Sequence, residues 1–286
     1  MSDTVTSTRT LTSRILCLLL RHHLATTTQL RELLSANSTS AAGLDDRLAA
    51  LHAQALTARQ MGAWSLTADG VAVAGALPEN TGRRLERPAC PRTALALTGL
   101  GLSFARQHRQ AYGRAPFSWD TPVLHRYRDR RGQAVQLEVA ARVRTCHRTP
   151  AGLVALDGLV DVWPERMRQE GVGTRLRALA SFAGGSQNWC EPGGPWRRWY
   201  PRVPHLLIAT QAAAKTLDPL LEQVQAAARR ESEIADLLSR TPVGLSSLGI
   251  LDHHAAEDPV WISPIGRLRQ VWTQLSGGIE VYGWGA

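Results

Sequence analysis

The chain has 286 residues, a formal net charge of +9 and four cysteines, Cys17, Cys90, Cys146 and Cys190, with no CxxC pair among them. Its length suits two compact units of about 100 to 200 residues each, and its cysteine spacing writes neither a zinc ribbon nor a disulfide framework. No apolar run reaches the roughly 18 residues a membrane span needs, and no charged start leads into an apolar core, so no membrane partner and a cytoplasmic location are expected.

The position of the charge is more informative than its total. Residues 1–80 carry six arginines against six acids, residues 81–150 carry fourteen against four, and residues 151–286 carry thirteen basic residues against fourteen acids. Only Lys215 is a lysine, as in a high-GC coding sequence. A basic block of this kind suits an anionic polymer, because each neutralised phosphate releases counterions; the alternative is a solvated linker.

Ile15, Leu18 and Leu19 predict a first helix ending near His22 and His23, before the Thr26, Thr27, Thr28 capping cluster. Leu30, Leu33 and Leu34 give a second helix, and Leu44, Leu48 and Leu51 a third. Residues 56–59 and 63–66 alternate around Met61-Gly62 as a β-wing requires, and Thr67 through Gly70 caps a further helix. Residues 1–80 therefore read as a winged helix-turn-helix domain.

A reader of double-stranded DNA with this fold lays its third helix in the major groove. Here that helix turns Ala42, Asp46, Ala49 and Ala53 outward with Asp45 beside them, a surface that repels phosphate. The expected DNA contacts are accordingly Thr27, Thr28, Gln29, Arg31, Ser38, Thr39, Ser40, Arg47 and the wing residue Arg59. The other use of such a domain is protein binding or dimerisation, so a homodimer or a partner protein is the alternative.

Prolines and charges mark residues 81–94 as a basic linker carrying Arg83 and Arg84. An apolar helix follows from Leu95, ending in Arg106 and Arg109, both expected to lie along a DNA backbone. The run from Val135 to Val143 alternates as one strand, and Leu153 to Leu156 as another before Asp157. Pro164 to Phe182 reads as a helix interrupted at Gly171–Thr174, Val203 to Thr210 as a strand buried on both faces, and Leu217 to Leu238 as long helices. Leu245 to Leu251 gives a last strand, and residues 95–286 read as an α/β body.

Trp64-Ser65-Leu66-Thr67-x-x-Gly70, Phe117-x-Trp119-x-Thr121-x-Val123-x-His125, Val154-x-Leu156-Asp157 and Trp196 through Pro204 resemble the replication-relaxation family of bacterial plasmid and chromosomal proteins. The resemblance implies a restriction-endonuclease-like α/β domain with a central mixed sheet. In that fold clustered carboxylates hold Mg2+ or Mn2+ and a lysine steadies the attacking water. In this chain the expected acids fall on Pro122, Ala141 and Ala155; only Asp157 persists, and Arg175 stands at the lysine position. Arginine stays protonated and cannot act as a base. The resemblance thus implies a body that has lost its metal and its chemistry, with no cofactor. A nuclease with a site rearranged around Asp157, using Glu138, Asp161 or Glu165, is the alternative.

Three other clusters carry residue types with candidate chemistry. Asp252, His253, His254, Glu257 and Asp258 read as a solvated loop rather than a metal site, and Gly171-x-Gly173 as a kink rather than a nucleotide fingerprint. Trp189, Trp196, Trp199 and Tyr200 beside Arg197 and Arg198 read as packing rather than as a base-stacking platform.

Overall fold

Leucines at helical spacing build the first part of the molecule. The computed structural model describes residues 3–36, 40–80, 90–113, 115–129, 131–150, 152–184, 194–211, 217–254 and 258–275. The chain is mixed α/β and divides into two compact units, Met1–Ala105 and Arg106–Ala286. Among the described residues no helix is long and apolar enough to cross a membrane.

In the first unit α1 (Asp3–His22), α2 (Thr27–Ala36) and α3 (Leu44–Ala53) precede a hairpin, β1 (Thr57–Gln60) and β2 (Ala63–Leu66), and then α4 (Ala68–Gly75). The leucine stripes of the three helices meet: Ile15, Leu19, Leu30, Leu34, Leu44, Leu48 and Leu51 are each no more than 2% exposed. A reciprocal capping box starts α2, with Thr26 Oγ1 accepting from the Gln29 amide and Gln29 Oε1 accepting from the Thr26 amide. The hairpin turns through Met61 and Gly62, with φ of 53° and 74°, the two left-handed positions of a type I′ turn. Thr67 Oγ1 accepts from the Gly70 amide at 3.0 Å and so caps α4. Gly70 itself is required, since a Cβ there would lie 1.9 Å from the Leu56 carbonyl oxygen.

Helix α5 (Pro91–Tyr112) begins inside the expected linker and runs through Gly99 and Gly101 without a break. Its first half belongs to the first unit: Ala94 clusters with Leu24 and Ala63, Leu102 joins the leucine core, and Thr98 Oγ1 donates to the Leu24 carbonyl. The division of the chain consequently falls within this helix, after Ala105, and not at residue 95. Residues 81–89 of the expected linker, Arg83 and Arg84 among them, lie outside the described residues.

The second unit follows as β3 (Ser118–Asp120), β4 (Val123–Arg128), β5 (Ala134–Val139), β6 (Ala141–Thr149), β7 (Gly152–Trp163), α6 (Gln169–Ala183), β8 (His205–Thr210), α7 (Leu217–Arg230), α8 (Ser232–Arg240), β9 (Val243–Ser247), α9 (Leu248–His253), β10 (Trp261–Ile262) and β11 (Arg269–Gln270). The sheet is seven-stranded and mixed, in the order β11-β10-β9-β8-β7-β6-β3, with β7, β8 and β9 parallel; β4 and β5 pair separately as a hairpin. One sheet face presents Leu159, Trp163, Leu206, Ile208, Val243 and Leu245 to an apolar core that includes Leu176, Leu179, Leu221, Val224, Ile234 and Leu237 of the three helices α6 to α8. On the opposite face Gly158 lets Trp272 approach, since a Cβ there would lie 3.1 Å from that ring and 2.9 Å from Val143.

Four further elements differ from the sequence reading. The alternating run from Val135 to Val143 is two strands, because the chain bends at Ala140 and changes partner from β4 to β3 and β7. Asp157 sits in the middle of β7, which continues to Trp163. Helix α6 starts only at Gln169 and passes unbroken through Gly171 and Gly173, the latter buried. The last apolar run stops being a strand at Ser247, whose hydroxyl accepts from the Ile250 amide and caps α9.

Candidate functional site

Side chains alternate along a strand, so Asp157, Leu159, Asp161 and Trp163 share the helix-covered face of β7. The antiparallel register sets Arg144 opposite Asp157, and Asp120 of β3 opposite Arg142. Arg144 then grips Asp157 with two parallel bonds, Nε to Oδ1 at 2.8 Å and Nη2 to Oδ2 at 3.1 Å. The Asp157 side chain is 3% exposed and that of Arg144 34%. Beside them Arg142 Nη2 donates to Asp120 Oδ2 at 2.6 Å.

Asp161 is held from above the sheet. Arg175 of α6 reaches down and donates from Nε to Oδ2 and from Nη2 to Oδ1, both at 2.6 Å. Trp163 Nε1 adds a third donor to Oδ2 at 2.7 Å, and Arg175 also donates to the Glu138 carbonyl. The hydrogen bond to Asp157 raises the Arg144 pKa. Burial works against the charge of Arg175, but the bond to Asp161 and its attraction outweigh that and raise it too. Both carboxylates therefore spend their two syn lone pairs on a guanidinium fork. A divalent cation at either would have to displace an arginine or sit against its positive charge, so these residues do not fit Mg2+ or Mn2+.

Next to this row Tyr200 and His125 share a hydrogen bond, Oη to Nε2, at 2.7 Å. Phe182 and Trp199 pack on the imidazole with centroids at 4.6 and 5.0 Å. Burial pushes the Tyr200 phenol up and pushes His125 down to about 4. Both are neutral near neutral pH, and Tyr200, only 3% exposed, keeps its proton and is no nucleophile. The pair ties the 3-10 turn Pro195–Arg198 and its C-terminal flank to the β4–β5 hairpin.

Asp157 and Arg175, the two residues matched to the family pattern, are not each other's partners; each has a different counter-ion on the same sheet face. Of the acids expected as alternative metal ligands, Glu138 and Glu165 are exposed and Asp161 is locked. Among the described residues no three His, Cys, Asp or Glu side chains group so as to hold a metal ion. His254 Nδ1 lies 3.1 Å from Asp258 in an exposed pair, while the Asp252 side chain and Glu257 lie outside the described residues. Trp196 and Tyr200 are buried in the body core as packing, and Trp189 lies outside the described residues.

On the first unit the predicted DNA contacts divide. Gln29 is spent on the α2 cap and on the Leu95 carbonyl, Thr27 Oγ1 accepts from Trp64 Nε1 at 3.0 Å, and Arg31 pairs with Asp45 at 3.0 Å. Thr28 and Ser40 are exposed, Arg47 is half-buried, and exposed Arg59 lies over the Trp64 ring at 5.6 Å. Asp45 and Asp46 are exposed in the first turn of α3, where carboxylates complement the helix dipole. Arg106 and Arg109 are exposed near the end of α5; Ser38 and Thr39 lie outside the described residues.

Sequence reasoning missed Arg144, Arg142 and Asp120. The available signal was the alternation of arginine with Val143 and Thr145, but only the strand register shows which acids those arginines face. Compared with known protein families, with curated proteins and with solved structures, the chain matches none.

Proposed function

We propose that this protein is a non-catalytic DNA-associated accessory or regulatory protein of plasmid or mobile-element replication or maintenance. In this reading the first unit is a winged helix that binds double-stranded DNA together with the arginine-rich segment after it. The second unit is a replication-relaxation-type, nuclease-like body that positions the polymer without cutting it. The observation that carries the reading is the capture of Asp157 and Asp161 by Arg144 and Arg175, which spends on internal ion pairs the carboxylates a nuclease would offer to metal. The excess of fourteen arginines over four acids in residues 81–150 supports DNA as the polymer.

The test uses supercoiled plasmid and the purified chain. Binding is expected to weaken steeply with salt, with log affinity falling by about 0.9 per phosphate neutralised for each log unit of salt. Nicking in Mg2+ or Mn2+ is expected to stay at the level of an Asp157→Ala control. Metal-dependent cleavage that this substitution abolishes overturns the reading in favour of a rearranged nuclease.

A second reading is favoured by the exposed Asp45 and Asp46 on α3, the surface a DNA reader turns to the groove. It makes the first unit a docking surface for a partner protein or a second copy. Affinity for plasmid that ignores salt, or no affinity at all, supports it.

A further inference from the structure

A concavity of about 770 Å³ in the second unit is lined by Arg126, Arg128, Arg197 and Arg198, with Tyr127, Val135, Gln136 and Pro195 among its other walls. We propose that this groove is a binding site for the phosphodiester backbone of duplex DNA, engaged without regard to base sequence. The inference rests on the DNA reading above and names the surface that performs it.

Strand geometry makes one wall. His125 and Tyr127 of β4 point into the core, so Arg126 and Arg128 point out, two residues apart along one edge. A short turn makes the other. Buried Trp196 anchors residues 195–198 to the core, and Arg197 and Arg198 follow it on the exposed side. Gly194 permits that anchoring, since a Cβ there would lie 2.5 Å from Trp196 Nε1.

Three of the four guanidiniums are held in place before any ligand arrives. Arg197 lies over the Trp196 ring at 5.2 Å, Arg198 over the Trp199 ring at 5.5 Å, and Arg128 Nη1 donates to the Gly132 carbonyl at 2.8 Å. Such ordering lowers the entropy lost on binding.

Among the described residues no carboxylate lines the groove, and none of its four arginines forms an ion pair. Four like charges around one hollow repel one another, and a polymer with regularly spaced anions removes that repulsion. Arginine matches the geometry, since its planar fork fits phosphate oxygens. Base stacking does not fit: Trp196 is buried, and guanidiniums already lie over both indole rings. Contacts that reach phosphate and not base edges position a duplex without reading it.

The test measures binding of a fluorescent duplex oligonucleotide of arbitrary sequence to the full chain by polarisation over a salt series. The double variants Arg126→Gln/Arg128→Gln and Arg197→Gln/Arg198→Gln are each expected to weaken binding about ten-fold at moderate salt and to lower the salt slope by roughly 2. Arg197→Lys/Arg198→Lys, which keeps the charge, should retain the wild-type slope and so separates loss of charge from loss of packing on the tryptophans. If the quadruple glutamine variant binds with wild-type affinity and slope while Arg47→Gln/Arg59→Gln in the first unit loses affinity, the groove is overturned and the DNA reading stands. A wild-type chain that binds no duplex overturns both. Full displacement of the duplex from the groove by micromolar pyrophosphate marks a small-anion pocket and overturns the assignment to a strand.

Discussion

On the helix-covered face of the sheet Arg144 and Arg175 each fork onto a nearly buried carboxylate, whereas Arg126, Arg128, Arg197 and Arg198 ring a hollow with no acid among its described walls. The side chain is the same in both places and its surroundings decide its use. In the first set the charge is neutralised internally and fixes a strand or a helix on the sheet. In the second it is left for something outside the protein. Composition alone, with 32 arginines, cannot tell one kind from the other.

The largest effect expected from this contrast is on stability. Arg175→Met leaves the Asp161 side chain, 8% exposed, without its cation and costs about 3 to 5 kcal/mol in a urea melt. Arg144→Met costs less, about 2 kcal/mol, because its own side chain is 34% exposed and water can reach the space it vacates. Replacing both partners, Arg175→Met with Asp161→Leu, should recover most of the first loss, since the expense lies in the stranded charge and not in the absent bond. A cost below about 1 kcal/mol for Arg175→Met breaks the contrast, because a removable pair is not a locked one.

Acid acts on the second unit through two buried histidines. His125 and His205 are buried and each has a pKa pushed from 6.5 down to about 4, for His125 by burial and for His205 by burial in spite of its bond to the Trp272 carbonyl. The unfolded chain takes up a proton at each below pH 6.5 while the folded chain resists until about 4, so stability is lost as pH falls through that window. The loss is on the order of 3 kcal/mol for each histidine. Thermal midpoints from neutral pH to pH about 4 check it, and His125→Phe should flatten the curve by its share. Salt-dependent DNA binding should persist through that window until the fold itself is lost.

How far these features were legible in the sequence follows from the range of the interactions behind them. The first unit was readable because its signals are local: leucines at i, i+3 and i+4, a threonine before a helix, a Met-Gly pair between alternating runs. The all-buried strand β8 was readable for the same reason. The bend at Ala140 was not, because alternation continues through it and only the change of pairing partner marks it. Gly171 and Gly173 suggested a break, yet a glycine inside a buried helix costs only about 1 kcal/mol and packing in the core repays it. At the site, Asp157 and Arg175 stood out by pattern, but the pairs Asp157–Arg144 and Asp161–Arg175 depend on strand register and on where α6 crosses the sheet. The groove is less local still, since its arginines come from segments about seventy residues apart.

The smallest effect sharpens the contrast by adding a third case, a pair that is formed but exposed. Arg31 and Asp45 meet at 3.0 Å with side chains 49% and 73% exposed. Water screens such a pair, so Asp45→Asn should change stability by at most about 0.5 kcal/mol. Its effect on DNA should be the opposite of a loss. Removing Asp45 releases Arg31 and takes a negative charge from the outward side of α3, so duplex affinity at low salt should rise by about two- to five-fold, and the gain should shrink as salt is added. Adding Asp46→Asn should increase it again. If instead the double substitution leaves DNA binding unchanged, α3 does not approach the phosphates, and affinity belongs to the basic surfaces elsewhere on the chain.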